Sequence, residues 1–133
     1  PAARFVADFM GRADVMPATI ERVAGASASI ATVQGAAIAV ANPHALAAGA
    51  AALLAIRPER ARLASAPMAG ALSLRAEVTQ ILYLGALREI HLKLADGPAV
   101  IVDVANDGGE PPLKVGSQTW FAAAPESCLL LPA

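Results

Sequence analysis

The residues able to do chemistry in this chain are few, and they are scattered. Glu89, His91 and Lys93 share one face of a predicted strand, which admits two readings: a pH-sensitive contact or a solvated row of alternating charge. Cys128 with His44 or His91 would make a nucleophilic pair, but Cys128 opens a Cys-Leu-Leu-Leu run and reads as a packed thiol. Asp103 and Asp107 are close in sequence, one at a strand end and one in a loop, and read as exposed charges rather than an acid–base pair. Arg57-Pro58-Glu59 is different. Pro58 fixes φ and ends a strand, setting Arg57 and Glu59 at the rim of the fold. The triplet is either a surface turn or a contact in which the Arg57 guanidinium forks onto a carboxylate of a subunit or domain. Trp120-Phe121 reads as one ring for the core and one for a subunit contact.

Several chemistries have no support. There is no GxxxxGK[ST], no GxGxxG opening a helix, no HExxH and no CxxC. The two lysines, Lys93 and Lys114, follow no glycine-rich loop. With a formal net charge of −1 and no basic stripe, nucleic-acid binding lacks an electrostatic footprint.

The elements that must position these residues are strands. Ala76–Val104 reads as a three-stranded antiparallel meander in which Ile90, Leu92 and Leu94 alternate with Glu89, His91 and Lys93, and Val100, Val102 and Val104 alternate with Ile101 and Asp103. Gly85 separates the first two strands. Asp96-Gly97 turns the next pair, with Pro98 forcing a wider turn because it has no N–H to close a two-residue one. Further strands are predicted over 18–24, 28–33, 36–41, 51–56, 117–123 and 128–131. Strands at this spacing favour a closed or nearly closed antiparallel barrel. Residues 64–70 form a small-residue connector. Only 1–10 suggests a helix, with Phe5, Val6, Phe9 and Met10 on one stripe and Gly11 as its cap. No internal repeat stands out strongly enough to argue from.

A chain of 133 residues fits one domain of ordinary size. No apolar run approaches the roughly 18 residues of a membrane-spanning helix. No signal peptide is expected, since Arg4, Asp8 and Arg12 interrupt the N-terminus. One cysteine allows no internal disulfide and suits a reducing compartment. The first residue is Pro1 rather than Met, so a longer parent protein is expected.

Four stretches carry a family resemblance. They are Arg4–Gly11 followed by Ala13-Asp14-Val15-Met16-Pro17; Leu54-Ala55-Ile56-Arg57-Pro58-Glu59; Val78–Gly85 with Tyr83-Leu84-Gly85; and Pro125-Glu126-Ser127-Cys128 with the leucines after it. In this order they resemble the C-terminal regulatory part of the ATPase subunit of ABC importers, in the spermidine/putrescine, ferric-iron and related small-solute branch. The first resembles the segment joining the ATPase domain to the regulatory part. Ala123 departs from the pattern, standing where relatives commonly have a second tryptophan, and 106–112 is unusually rich in glycine and proline.

The resemblance implies an all-β fold, an antiparallel OB-like or TOBE β-barrel with a short N-terminal helix. It implies a joining segment over 1–16 and a regulatory barrel over 17–133, with the TOBE module at approximately 71–132. It implies a non-catalytic role in regulation and dimerisation, with Arg57, Pro58, Glu59, Tyr83 and Trp120 as interface candidates. No cofactor or metal is expected here; ATP and Mg would bind in an ATPase domain of the same parent chain. Expected partners are a second copy, that ATPase domain and, through it, the permease, at the cytoplasmic face of the membrane. The alternative is a sensor of small ligands or oxyanions of the molybdate-binding barrel type. Its ligand would need hydroxyls such as Ser27, Ser29, Thr32 and Ser73, and the chain has no Ser-Arg-Asn type of signature.

Overall fold

Period-two alternation in the sequence becomes ten antiparallel strands in the computed structural model, which describes residues 12–106 and 113–133. They are β1 (Asp14–Ala24), β2 (Ser27–Ala31), β3 (Ala37–Ala41), β4 (Ala51–Ile56), β5 (Arg62–Ala64), β6 (Leu72–Leu84), β7 (Leu87–Leu94), β8 (Ala99–Ala105), β9 (Gln118–Ala123) and β10 (Cys128–Pro132). Short 3-10 turns occupy Val33–Gly35, Pro58–Arg60 and Pro125–Ser127, and there is no α-helix among the described residues. The helix expected over 1–10 lies outside the described residues, as does Asp107. Of the joining segment expected over 1–16, the described part runs into β1.

The strands form two five-stranded sheets, ordered β10-β4-β1-β2-β3 and β5-β9-β6-β7-β8. Each sheet curls until its edge strands approach one another, β3 against β10 and β8 against β5, so each makes a small barrel unzipped along one seam. The turn after β7 is the wide one that Pro98 requires: Leu94 N–H closes it by donating to the Pro98 carbonyl at 3.1 Å.

The two barrels are copies of one plan. β1 and β6 bury every second residue, and both slip register by one, between Ile20 and Arg22 and between Val78 and Gln80. Beside each slip the same pair of backbone bonds recurs. Gly49 N–H donates to Ile20 O at 2.7 Å, and Ile20 N–H to Ala50 O at 2.9 Å. Gly116 N–H donates to Val78 O at 2.8 Å, and Val78 N–H to Ser117 O at 2.9 Å. Gly49 and Gly116 hold φ of +84° and +92°, which a residue with a Cβ adopts only under strain. An X-Pro-Glu turn follows β4 and another follows β9. This internal repeat is a finding that the sequence reading missed.

The strand after each of these turns crosses over. β5 follows β4 in the chain but pairs with β9, and β10 follows β9 but pairs with β4. Each half, residues 14–64 and residues 72–132, thus completes the other's sheet. The interiors merge into one core, with Met16, Ile20, Leu54, Leu130 and Cys128 from the first barrel continuous with Leu74, Val78, Leu92, Val102 and Phe121 from the second. β4 and β10 also carry apolar residues on their outer face, where Ala55 and Leu131 are buried beside Val15, Leu53 and Leu129. Strands apolar on both faces read as continuous runs, as Ala-Ala-Leu-Leu-Ala-Ile and Cys-Leu-Leu-Leu do.

Candidate functional site

The strand crossover brings the two X-Pro-Glu turns together at the seam between the barrels. Pro58 and Pro125 each stand at the first position of a 3-10 turn, where a fixed φ and a missing N–H cost nothing. Each turn is closed by the same bond at 2.9 Å, Arg60 N–H to Arg57 O in one and Ser127 N–H to Ala124 O in the other. Between them runs a groove of about 340 Å³ lined by Glu59, Arg60, Arg62, Ala122, Glu126 and Ser127. A second groove continues over the outer face, past Arg57, Arg60 and Glu126 to Ala55 and Leu129. The surface is an apolar strip flanked by charges of both signs, a composition suited to a protein contact rather than to bond-breaking.

Pro58 is buried, and Arg57 and Glu59 are exposed on either side of it. No carboxylate among the described residues lies within salt-bridge distance of Arg57. Phe121 is in the core, and Trp120 is half-buried on the opposite face of β9, as the split between their rings requires. Trp120 stands across from Arg75 of β6 and Ala64 of β5, two residues along the strand from groove-lining Ala122. Tyr83 is 60% exposed near the tip of the β6–β7 hairpin. It lies eight residues beyond Arg75, roughly 25 Å along the strand. The seam therefore gathers Arg57, Pro58 and Glu59 with Trp120 nearby, and leaves Tyr83 apart.

Three groups depart from the sequence reading. Glu89 is buried rather than solvated, with Oε1 2.7 Å from His91 Nε2 and Oε2 3.0 Å from Arg12 Nη1. Asp103 is half-buried rather than exposed, and burial above all raises its pKa, against the lowering influence of Arg12. Both lie on β7–β8 where the start of β1 packs against them. Asp14, absent from the sequence candidates, is buried, and its Oδ1 accepts the Ile101 N–H at 2.7 Å. Its signal was available: Asp14 is in phase with Met16, Ala18 and Ile20, the inward residues of β1. The other missed residue, Glu126, repeats Glu59 in the second X-Pro-Glu turn. Cys128 is buried in the core as expected; burial and, second, Glu126 push its thiol up to about 11, far from a reactive thiolate. Among the described residues no group of three His, Cys, Asp or Glu side chains is arranged to hold a metal.

A family model for the TOBE domain matches residues 54–131, from the second half of β4 through the second barrel and into β10. The chain belongs to the TOBE domain family. It is homologous to spermidine/putrescine import ATP-binding proteins called PotA. It is 34% identical to the one from Rubrobacter xylanophilus, over 98% of this chain and 34% of that protein. It is 35% identical to PotA 1 of Pseudomonas aeruginosa, over 98% of this chain and 35% of that protein. The chain spans about a third of the length of these curated relatives. In fold it matches a crystal structure of ModG, described as a cytoplasmic molybdate-binding protein, with molybdate bound. The TM-score is 0.76, the match covers 90% of this chain and 96% of that one, and identity is 17%. The all-β, OB-like architecture is thus shared with a solved structure.

Proposed function

We propose that this TOBE-family chain is the non-catalytic regulatory and dimerisation module of the ATP-binding subunit of an ABC importer for a polyamine, iron or a related small solute. The observation that carries the reading is the relationship to PotA over nearly the whole chain, both barrels included. The seam supports it, offering an apolar strip with Arg57, Arg60, Glu59 and Glu126 at its margins. A two-fold contact must be self-complementary, and margins of mixed charge satisfy that condition, because each arginine can meet a glutamate of the other copy. Arg57, Pro58, Glu59 and Trp120 belong to the proposed contact, and Tyr83 serves a separate one.

On this reading ATP and Mg bind outside this chain, in an ATPase domain, and the module works at the cytoplasmic face of the membrane beside the permease. Tethering is the mechanism. Once two modules pair, the ATPase halves meet at an effective concentration in the millimolar range for short linkers, so they re-close rather than diffuse apart. On this reading the regulatory region runs over 17–133, with its TOBE module near 71–132.

The competing reading is a sensor of small ligands or oxyanions, suggested by the molybdate bound to ModG. Titration calorimetry of the chain with molybdate, tungstate, sulfate and spermidine separates the two. A pairing module gives no stoichiometric heat with any of them; a tight one-to-one isotherm overturns that reading in favour of the sensor.

A further inference from the structure

At the start of β1 the chain is fastened to the barrel it does not belong to. β8 is an edge strand among the described residues, and its Ile101 N–H, turned away from β7, donates to Asp14 Oδ1 at 2.7 Å. Arg12 reaches the same sheet, with Nη1 3.0 Å from Glu89 Oε2 and Nη2 3.9 Å from Asp103 Oδ1. His91 Nε2 holds the other oxygen of Glu89 at 2.7 Å. Two carboxylate oxygens in this cluster are buried without a hydrogen bond, Asp14 Oδ2 and Asp103 Oδ1. Buried acceptors facing like charge are costly, and a proton on one of them relieves both the repulsion and the lost bond.

We propose that Arg12, Asp14, Glu89, His91 and Asp103 form a proton-responsive latch that fastens the lead-in to β1 onto β7 and β8 of the second barrel. With the proton, Asp14 accepts from Ile101 through Oδ1 and gains a donor at Oδ2, leaving Arg12 to neutralise Glu89 and Asp103. Without it, Asp14, Asp103, Glu89 and Glu59, the last on the turn packed against β8, are set against the one guanidinium of Arg12. The latch therefore holds most firmly in acid and slackens as pH rises. Its output is how firmly Arg12 and Asp14 hold to β7 and β8, which reads out whether or not two modules pair.

The direction follows from linkage. Burial, the largest cause, raises the Asp14 pKa from 3.8 to about 7, against the lowering effects of the Ile101 bond and Arg12. A released Asp14 returns toward its ordinary value, so the closed form binds the proton more tightly. The opening constant then rises about tenfold per pH unit between the two values and levels off above the higher one.

The test is amide hydrogen exchange at Ile101 in the whole chain, corrected for intrinsic exchange, from pH 5 to pH 8.5. The expected result is an opening constant that climbs about tenfold per unit up to about pH 7 and then flattens. Asp14→Asn, which keeps the acceptor and supplies a permanent donor, is expected to hold Ile101 equally well at every pH. Should that variant fail to fold, Asp103→Asn serves, and is expected to move the midpoint of the Ile101 profile to lower pH. A wild-type profile flat across the range, or a pH-dependent one unchanged in the variants, overturns the latch.

Discussion

Asp14 is the residue at which sequence pattern and chemistry disagree most. It occupies an inward position of β1 with Met16, Ala18 and Ile20, where the strand pattern alone calls for an aliphatic side chain and only the Ile101 N–H calls for an acceptor. Its raised pKa has a sign that can be checked on the whole fold. A group that binds its proton more tightly when folded contributes stability fully below its unfolded value. That contribution is lost as pH rises through the folded value. For Asp14 the window runs from 3.8 to about 7. Urea unfolding is expected to give a wild-type chain that loses roughly 1–3 kcal/mol more than Asp14→Asn between pH 5 and pH 8. Gly49 and Gly116 make a second prediction at this scale. A Cβ at either meets open space, so the cost of Gly→Ala lies in the backbone. Each substitution is expected to lower stability by about 1–2 kcal/mol, and by equal amounts if the two barrels are truly equivalent.

Among the elements, β5 and β10 have the most to explain, because each is donated to the other half. The core they close is continuous, so damage to either barrel should be felt in both. Leu130→Ala on β10 removes a fully buried side chain facing Leu54 of β4 and is expected to cost about 2–5 kcal/mol. Unfolding followed by Trp120 fluorescence from the second barrel should coincide with unfolding followed by circular dichroism of all the strands. Transitions that do not coincide would show that the barrels unfold separately. Much of this layer was legible in the sequence. The alternation of β7 and β8, the wide turn forced by Pro98 and the apolar runs of β4 and β10 all follow from local rules. Strand partners were not legible. Hydrophobic periodicity says that a segment is a strand and which face is buried, but not that β5 skips its neighbour to join β9. β5 itself, only three residues long, was hidden where the charged stretch after Arg57 meets the connector that begins at Ala64. The repeat was hidden because, beyond the two Pro-Glu turns and Gly49 with Gly116, its core is written in positions rather than identities: Leu54 occupies the place that Phe121 holds, and Met16 that of Leu74.

For the whole molecule, the seam candidates fared unevenly against the sequence. Arg57, Pro58 and Glu59 were visible because a proline between opposite charges is an unusual end to an apolar strand. Glu126 became a candidate only when the crossover set its turn beside theirs, and Glu89 and Asp103 looked solvated only because the start of β1 could not be placed upon them. The scale of the molecule is also where function is decided. The proposed role is that of a clamp, with its working surface where the halves exchange strands.

Sedimentation equilibrium of the chain over a wide range of loading concentrations, beside Arg57→Ala, tests that claim most directly. The account predicts a reversible monomer–dimer equilibrium, with the dissociation constant about tenfold weaker in the variant, a loss of about 1.4 kcal/mol. A wild-type chain that stays monomeric at the highest concentrations reached, or a variant that pairs as tightly as the wild type, would contradict it.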